Sequence, residues 1–155
     1  RRQRQMCIRD SRSLCGMTKD MLPVYKGLYD KLGNEPLFLY NYAAELNVAG
    51  RYGESLRICK ASSVRMSDYY TRLLQADNCK QLKRYKEAER HLQQASYMCP
   101  NRFTPLYELY TIYEAQGDTA SMHRTAEAIL RKPIKVASPE VRQIIAKMKR
   151  FKQIN

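Results

Sequence analysis

The side chains to weigh first for chemistry are two histidines, five cysteines and a few closely spaced carboxylates. His91 and His123 could work as acid–base groups near neutral pH, yet no nucleophile–base motif accompanies either of them. Cys7, Cys15, Cys59, Cys79 and Cys99 form an odd set with no CxxC pair. Metal binding needs several ligands converging on one ion, which this spacing does not provide. Unpaired thiols favour a reducing compartment. Glu87 and Glu89 would point apart on a helix, and Glu108 and Glu114, six residues apart, would not lie side by side. No Walker loop, GxGxxG or HExxH occurs. The expectation is a segment with no catalytic residue, no metal and no cofactor.

The chain instead repeats a phrase. Gly50-Arg51-Tyr52-Gly53-Glu54-Ser55 returns as Lys83-Arg84-Tyr85-Lys86-Glu87-Ala88 and, more faintly, as Gly117-Asp118-Thr119-Ala120-Ser121-Met122. The steps are 33 and 34 residues, and a further step back from Gly50 reaches Gly16. A fixed period of this length predicts stacked helical hairpins, each unable to bury its apolar face alone. The pattern resembles the tetratricopeptide repeat. Ala43, Ala76, Ala88, Ala95, Ser55 and Ser62 take the small positions where helix backbones approach closely. Gly50 and Gly117 suit the left-handed residue that ends a first helix.

The units are expected at 36–68, 69–102 and 103–136. A degenerate unit at 2–35 precedes them and a capping helix at 138–151 follows. Lys83 stands in place of Gly, Tyr110 in place of a small residue, and Thr119 and Met122 in place of the aromatic and small pair, so the third unit is expected to pack less regularly. Thr104-Pro105 and Ser138-Pro139 read as helix caps. Val141, Ile144, Ile145 and Met148 share one helical face. Residues 131–136 read as an extended connector. In the segment 19–32, Pro23 is expected in the first turn, where a proline is tolerated. The fold class expected is all-α: a right-handed solenoid of tetratricopeptide-like hairpins. Cys59 and Cys79 then fall at buried positions, and both histidines on outer second helices, solvated.

A chain of 155 residues is long enough to bury a core, and its 12 tyrosines with no tryptophan suit helix packing with polar tips at the rim. No stretch of 18 apolar residues occurs, and the beginning at Arg1 reads as internal to a longer protein. The net charge of +13 is uneven. Residues 1–33 carry 8 basic and 3 acidic groups, residues 34–130 carry 12 and 11, and residues 131–155 carry 8 and 1. Nearly neutral repeats argue against nucleic acid, which would draw positive charge onto the binding helices. Basic flanks fit anionic lipid headgroups or solubility equally well, and the alternative function is a basic module that binds an anionic membrane surface or nucleic acid.

The tetratricopeptide resemblance implies a partner-binding concave face built from fixed first-helix positions. Carried over, these are Leu37, Tyr40, Asn41, Ala44 and Asn47, then Tyr70, Leu73, Leu74, Asp77 and Lys80, then Thr104, Tyr107, Glu108, Thr111 and Glu114. Of the basic and Asn clamp some members use for a terminal carboxylate, only Asn41 is matched. Tyrosines and carboxylates would favour a peptide with basic and apolar groups, or self-association. The alternative is that Leu73, Leu74 and Tyr40 simply pack between units.

A closer resemblance runs from Asn34 to Arg150. Phe38-Leu39-Tyr40-Asn41-Tyr42-Ala43-Ala44-Glu45-Leu46, Ala76-Asp77-Asn78, Ala95 to Tyr107 and Ala128 to Val136 are similar to the C-terminal repeat domain of bacterial O-antigen ligase or polymerase-like membrane proteins. That resemblance implies a non-catalytic protein-interaction module appended to a glycan-transferring membrane part and tethered to the bacterial inner membrane. Arg1-Arg2-Gln3-Arg4 and the free thiols favour the cytoplasmic side, with the periplasm as the alternative.

Overall fold

The computed structural model describes residues 18–63 and 68–154. Its helices are α1 (Thr18–Leu32), α2 (Pro36–Val48), α3 (Tyr52–Ser63), α4 (Tyr69–Gln81), α5 (Tyr85–Met98), α6 (Thr104–Gln116), α7 (Thr119–Arg131) and α8 (Pro139–Ile154). Among the described residues there is no strand. The chain is a right-handed α-solenoid of tetratricopeptide-like hairpins closed by a C-terminal helix. The hairpins are α2–α3, α4–α5 and α6–α7; α2, α4 and α6 form the inner layer. Residues 2–17 of the degenerate unit expected over 2–35, Gly16 among them, lie outside the described residues.

The three hairpin turns are the same device. Arg51 N–H donates to the Leu46 carbonyl, Arg84 N–H to Cys79 and Asp118 N–H to Tyr113, at 2.8, 2.8 and 3.0 Å. Each such bond reaches back across a residue of positive φ: Gly50 at 76°, Lys83 at 58° and Gly117 at 70°. Lys83 therefore takes the left-handed conformation that glycine adopts in the other two turns, at a steric cost glycine does not bear. Asp68 and Asp118 cap α4 and α7, accepting from Thr71 N–H at 2.7 Å and Ser121 N–H at 3.0 Å.

Ala43, Ala76, Ala88, Ala95 and Ser55 are all buried. Ser55 Oγ donates to the Ala43 carbonyl at 2.6 Å and Ser62 Oγ to the Pro36 carbonyl at 3.2 Å, so small polar residues join α3 to α2 where they touch. Three apolar clusters follow the solenoid. Leu39, Leu46, Ile58 and Cys59 form the first; Leu56, Cys79, Leu92, Leu109 and Ile112 the second; Phe103, Tyr110, Ile129 and Met148 the third. Cys59 and Cys79 are free thiols with no exposed surface, and burial pushes the Cys59 thiol up to about 12.

Several expectations are corrected. Pro23 lies inside α1, beyond its first turn. Thr104 does not cap α6: Phe103 holds the cap position without a side-chain bond, whereas Ser138 Oγ does accept from Val141 N–H at 3.3 Å. The closing helix runs to Ile154, past residue 151. Tyr110 is accommodated rather than disruptive, because it is buried edge-on against Phe151 of α8, with centroids 5.5 Å apart. Neither histidine is fully solvated. His91 is half-buried with Nδ1 3.4 Å from Arg72 Nη1, and His123 packs on Phe151 at 4.7 Å.

Candidate functional site

The inner helices meet along a line of polar contacts that joins six of the fifteen residues expected on the concave face. At the α2–α4 junction Asn47 Nδ2 donates to Asp77 Oδ2 at 2.7 Å and to Asn78 Oδ1 at 3.1 Å. At the α4–α6 junction Lys80 Nζ donates to Glu108 Oε2 at 2.8 Å and to Thr111 Oγ1 at 3.0 Å, while Thr111 Oγ1 donates to the Glu108 carbonyl at 2.8 Å. At the α6–α8 junction Lys147 Nζ donates to Glu114 Oε2 at 3.0 Å. Lys147 also lies over Tyr107 and Tyr110, at 5.6 and 5.1 Å from the ring centroids. Burial alone would lower the Lys147 ammonium, but Glu114 and the two tyrosines outweigh it and hold the group above its ordinary value.

Two consequences follow. The carboxylates Glu108 and Glu114 are ion-paired to different lysines, so they do not work as an acid–base couple. Asn47, Asp77, Lys80, Glu108 and Thr111 also do structural work, because each bridges two units, and Glu114 ties the third hairpin to α8. Tyr40, Asn41 and Ala44 are half-buried on α2, and Leu74 joins the first apolar cluster. Tyr70 remains exposed at the start of α4, edge-on to Tyr69 at 5.2 Å. Leu37 is exposed as well.

Beneath the Lys80–Glu108 bridge lies a cavity of about 190 Å3, lined by Leu73, Ala76, Asp77, Lys80, Leu92, Thr104, Glu108 and Ile112. Its floor is aliphatic and its rim carries both signs of charge. Small-molecule and cofactor pockets run to roughly 300–1,000 Å3. This cavity suits one side chain of a larger partner. Of its lining, Leu73, Asp77, Lys80, Thr104 and Glu108 are among the expected concave positions. Ala76 is marked in the sequence only as a close helix contact, and nothing there separates Leu92 and Ile112 from ordinary core residues. Lys147 was missed because α8 reads as a cap; its distance of 33 residues from Glu114, one full period, was the available signal.

Among the described residues no group of His, Cys, Asp or Glu could hold a metal ion, and no helix is long and apolar enough to cross a membrane. No family model and no curated protein matches the chain. Solved structures do. A crystal structure of MamA superposes with a TM-score of 0.73 at 16% identity, covering 94% of this chain and 85% of that one. The MamA RS-1 ArsTM double mutant superposes with a TM-score of 0.67, also at 16% identity, covering 97% and 95%. The fold is of tetratricopeptide type. At this identity the likeness speaks for architecture alone, and function has to come from the groove.

Proposed function

We propose that this chain is a non-catalytic protein-interaction scaffold whose α4–α6 groove holds an extended peptide segment. The observation that carries this reading is the cavity at the expected concave positions. Its aliphatic floor of Leu73, Ala76, Leu92 and Ile112 would take one Leu- or Ile-sized side chain. A neighbouring Lys or Arg of the partner would compete with Lys80 for Glu108 or pair with Asp77. Tyr70 and Tyr107 would supply flanking aromatic contact, as anchors at interfaces commonly do.

Selection of peptides from a random library on the purified chain tests this. The expected winners pair an aliphatic residue with a basic one, and Thr104→Trp, which fills the cavity from its exposed rim, weakens them by more than about tenfold. Winners that bind Thr104→Trp and Glu108→Gln as well as they bind the native chain would sink the groove.

The finer reading is that the scaffold is appended to a membrane-bound glycan ligase or polymerase of the O-antigen type, on the cytoplasmic side. The residue resemblance from Asn34 to Arg150 supports it. An antibody raised against this chain and applied to fractionated cells should find it within a larger, carbonate-resistant membrane protein. Detection only in the soluble fraction would count against the attachment.

A further inference from the structure

The C-terminal end of the solenoid presents a surface that the groove does not use. Between α7 and α8 the connector exposes Ile134 at 51% and Val136 at 75% of their full area. Lys135 lies between them and is exposed too. The connector then enters α8, whose apolar face (Val141, Ile144, Ile145, Met148 and Phe151) is packed on the third hairpin. The solvent side of α8 carries Arg150, with Arg142 and Lys149 along the flank, all exposed. Residues 142, 149 and 150 are spaced seven and eight apart, so they line one side of the helix.

The charges at this end divide into two kinds. Arg131 is paired with Glu127 at 2.8 Å, Lys147 with Glu114 at 3.0 Å, and Lys152 lies 4.0 Å from Glu127. Lys132 lies over the Phe103 ring at 5.7 Å. Lys135, Arg142, Lys149 and Arg150 have no carboxylate within 4 Å among the described residues, and Glu140 is the single acidic residue between 131 and 155. Unpaired cations beside two exposed aliphatic side chains are the combination that binds anionic bilayers. The charges hold the surface near the headgroups while short apolar side chains enter the acyl boundary.

We infer that the connector and the outer face of α8 form a docking surface for an anionic lipid bilayer, with Ile134 and Val136 as shallow anchors. This inference is independent of the groove: no residue is shared between the two surfaces. Nucleic acid is the less fitting partner, because the two anchors are aliphatic and offer bases no ring to stack on.

Flotation of the full chain with phosphatidylglycerol-containing vesicles, against pure phosphatidylcholine, tests it. Binding is expected only to the anionic vesicles, and it should be released near 1 M salt, where the screening length falls to about 3 Å. Replacing Lys135, Arg142, Lys149 and Arg150 by Gln together should weaken partitioning on the order of several hundredfold, at roughly 1 kcal/mol per basic residue. Ile134→Ser with Val136→Ser should weaken it by about tenfold at unchanged charge. Circular dichroism melts of both variants should match the native chain, since all six side chains are exposed. Binding unchanged by the four-residue variant, as attachment through the Arg-rich residues 1–12 would give, overturns the inference. So does tighter binding to a single-stranded oligonucleotide that ignores the Ser substitutions.

Discussion

The α2–α4 and α4–α6 junctions occupy equivalent places in the repeat and are built from opposite chemistry. In the first, a polar chain runs from the groove into the core: Asn47 donates to Asn78, Asn78 Nδ2 donates to Ser55 Oγ at 2.8 Å, and Ser55 donates to the Ala43 carbonyl. One repeat later Ser55 is replaced by Ala88 and Asn78 by Ile112, both without exposed area, while Asn47 is replaced by Lys80. Among the described residues no amide hydrogen bond joins α4 to α6 as Asn47 joins α2 to α4. A lysine bridges the rim of the second junction to Glu108, and the cavity opens beneath. The repeat thus fixes the backbone approach of neighbouring units and leaves the filling free. Where the filling is a satisfied polar chain the space is used up, and where it is aliphatic, room remains for a guest side chain.

The sharpest way to break this contrast is to exchange the fillings. Ile112→Asn puts an amide into the aliphatic junction with no partner, and should cost about 3–4 kcal/mol in urea denaturation. A loss under about 1 kcal/mol would mean that water already enters the cavity and satisfies the amide. The reverse exchange, Asn78→Ile, strands Ser55 and one amide hydrogen of Asn47, and should cost about 2–3 kcal/mol. Adding Ser55→Ala should recover about 1 kcal/mol or more, since the second junction shows that Ala and Ile together suffice. Additive losses in that double-mutant cycle would show that the two side chains do not act as one unit.

The turns carry a smaller contrast. Gly50 and Lys83 share a left-handed backbone and the same returning hydrogen bond, but only lysine bears the Cβ clash. Lys83→Gly should stabilise the chain by about 0.5–1 kcal/mol, the relief being partly offset by the freer unfolded glycine. A melting temperature that falls instead would mean that the Lys83 side chain makes a compensating contact.

What the sequence made legible follows from these elements. Small residues at a fixed interval are forced by close helix approach, so Ala43, Ala76, Ala88 and Ala95 were readable as contact points without coordinates. The left-handed turn at Lys83 could be placed by phase even though its residue type argued against it. The cavity was not legible, because it is a misfit of volumes among three helices and no single residue announces it. Lys147 escaped for another reason. Its helix supplies the next inner rung as well as a cover, and a basic amphipathic segment shows only the second role in its pattern. The histidines were misjudged because an outer helix in a solenoid still buries one face against its own hairpin partner.

His91 gives the last and smallest contrast. The first hairpin packs Leu39 on Ile58 in its core; one repeat on, these positions are Arg72 and His91. Burial first, and then the charge of Arg72, hold the His91 imidazole below its ordinary value of 6.5; Arg90 and Lys60 act in the same direction and Glu87 opposes them. The neutral ring can accept from Arg72 Nη1, whereas an imidazolium there would face a guanidinium. The native state therefore binds fewer protons than the unfolded chain. The stabilisation is complete above pH 6.5 and is lost as pH falls through the lowered native value. Denaturant titrations at about pH 7.5 and pH 5.5 should show lower stability on the acid side. The variant Arg72→Leu with His91→Ile, which copies the first hairpin, should flatten that dependence. If the double variant keeps the full acid loss, the sensitivity lies in other groups and the second hairpin is no more pH-responsive than the first.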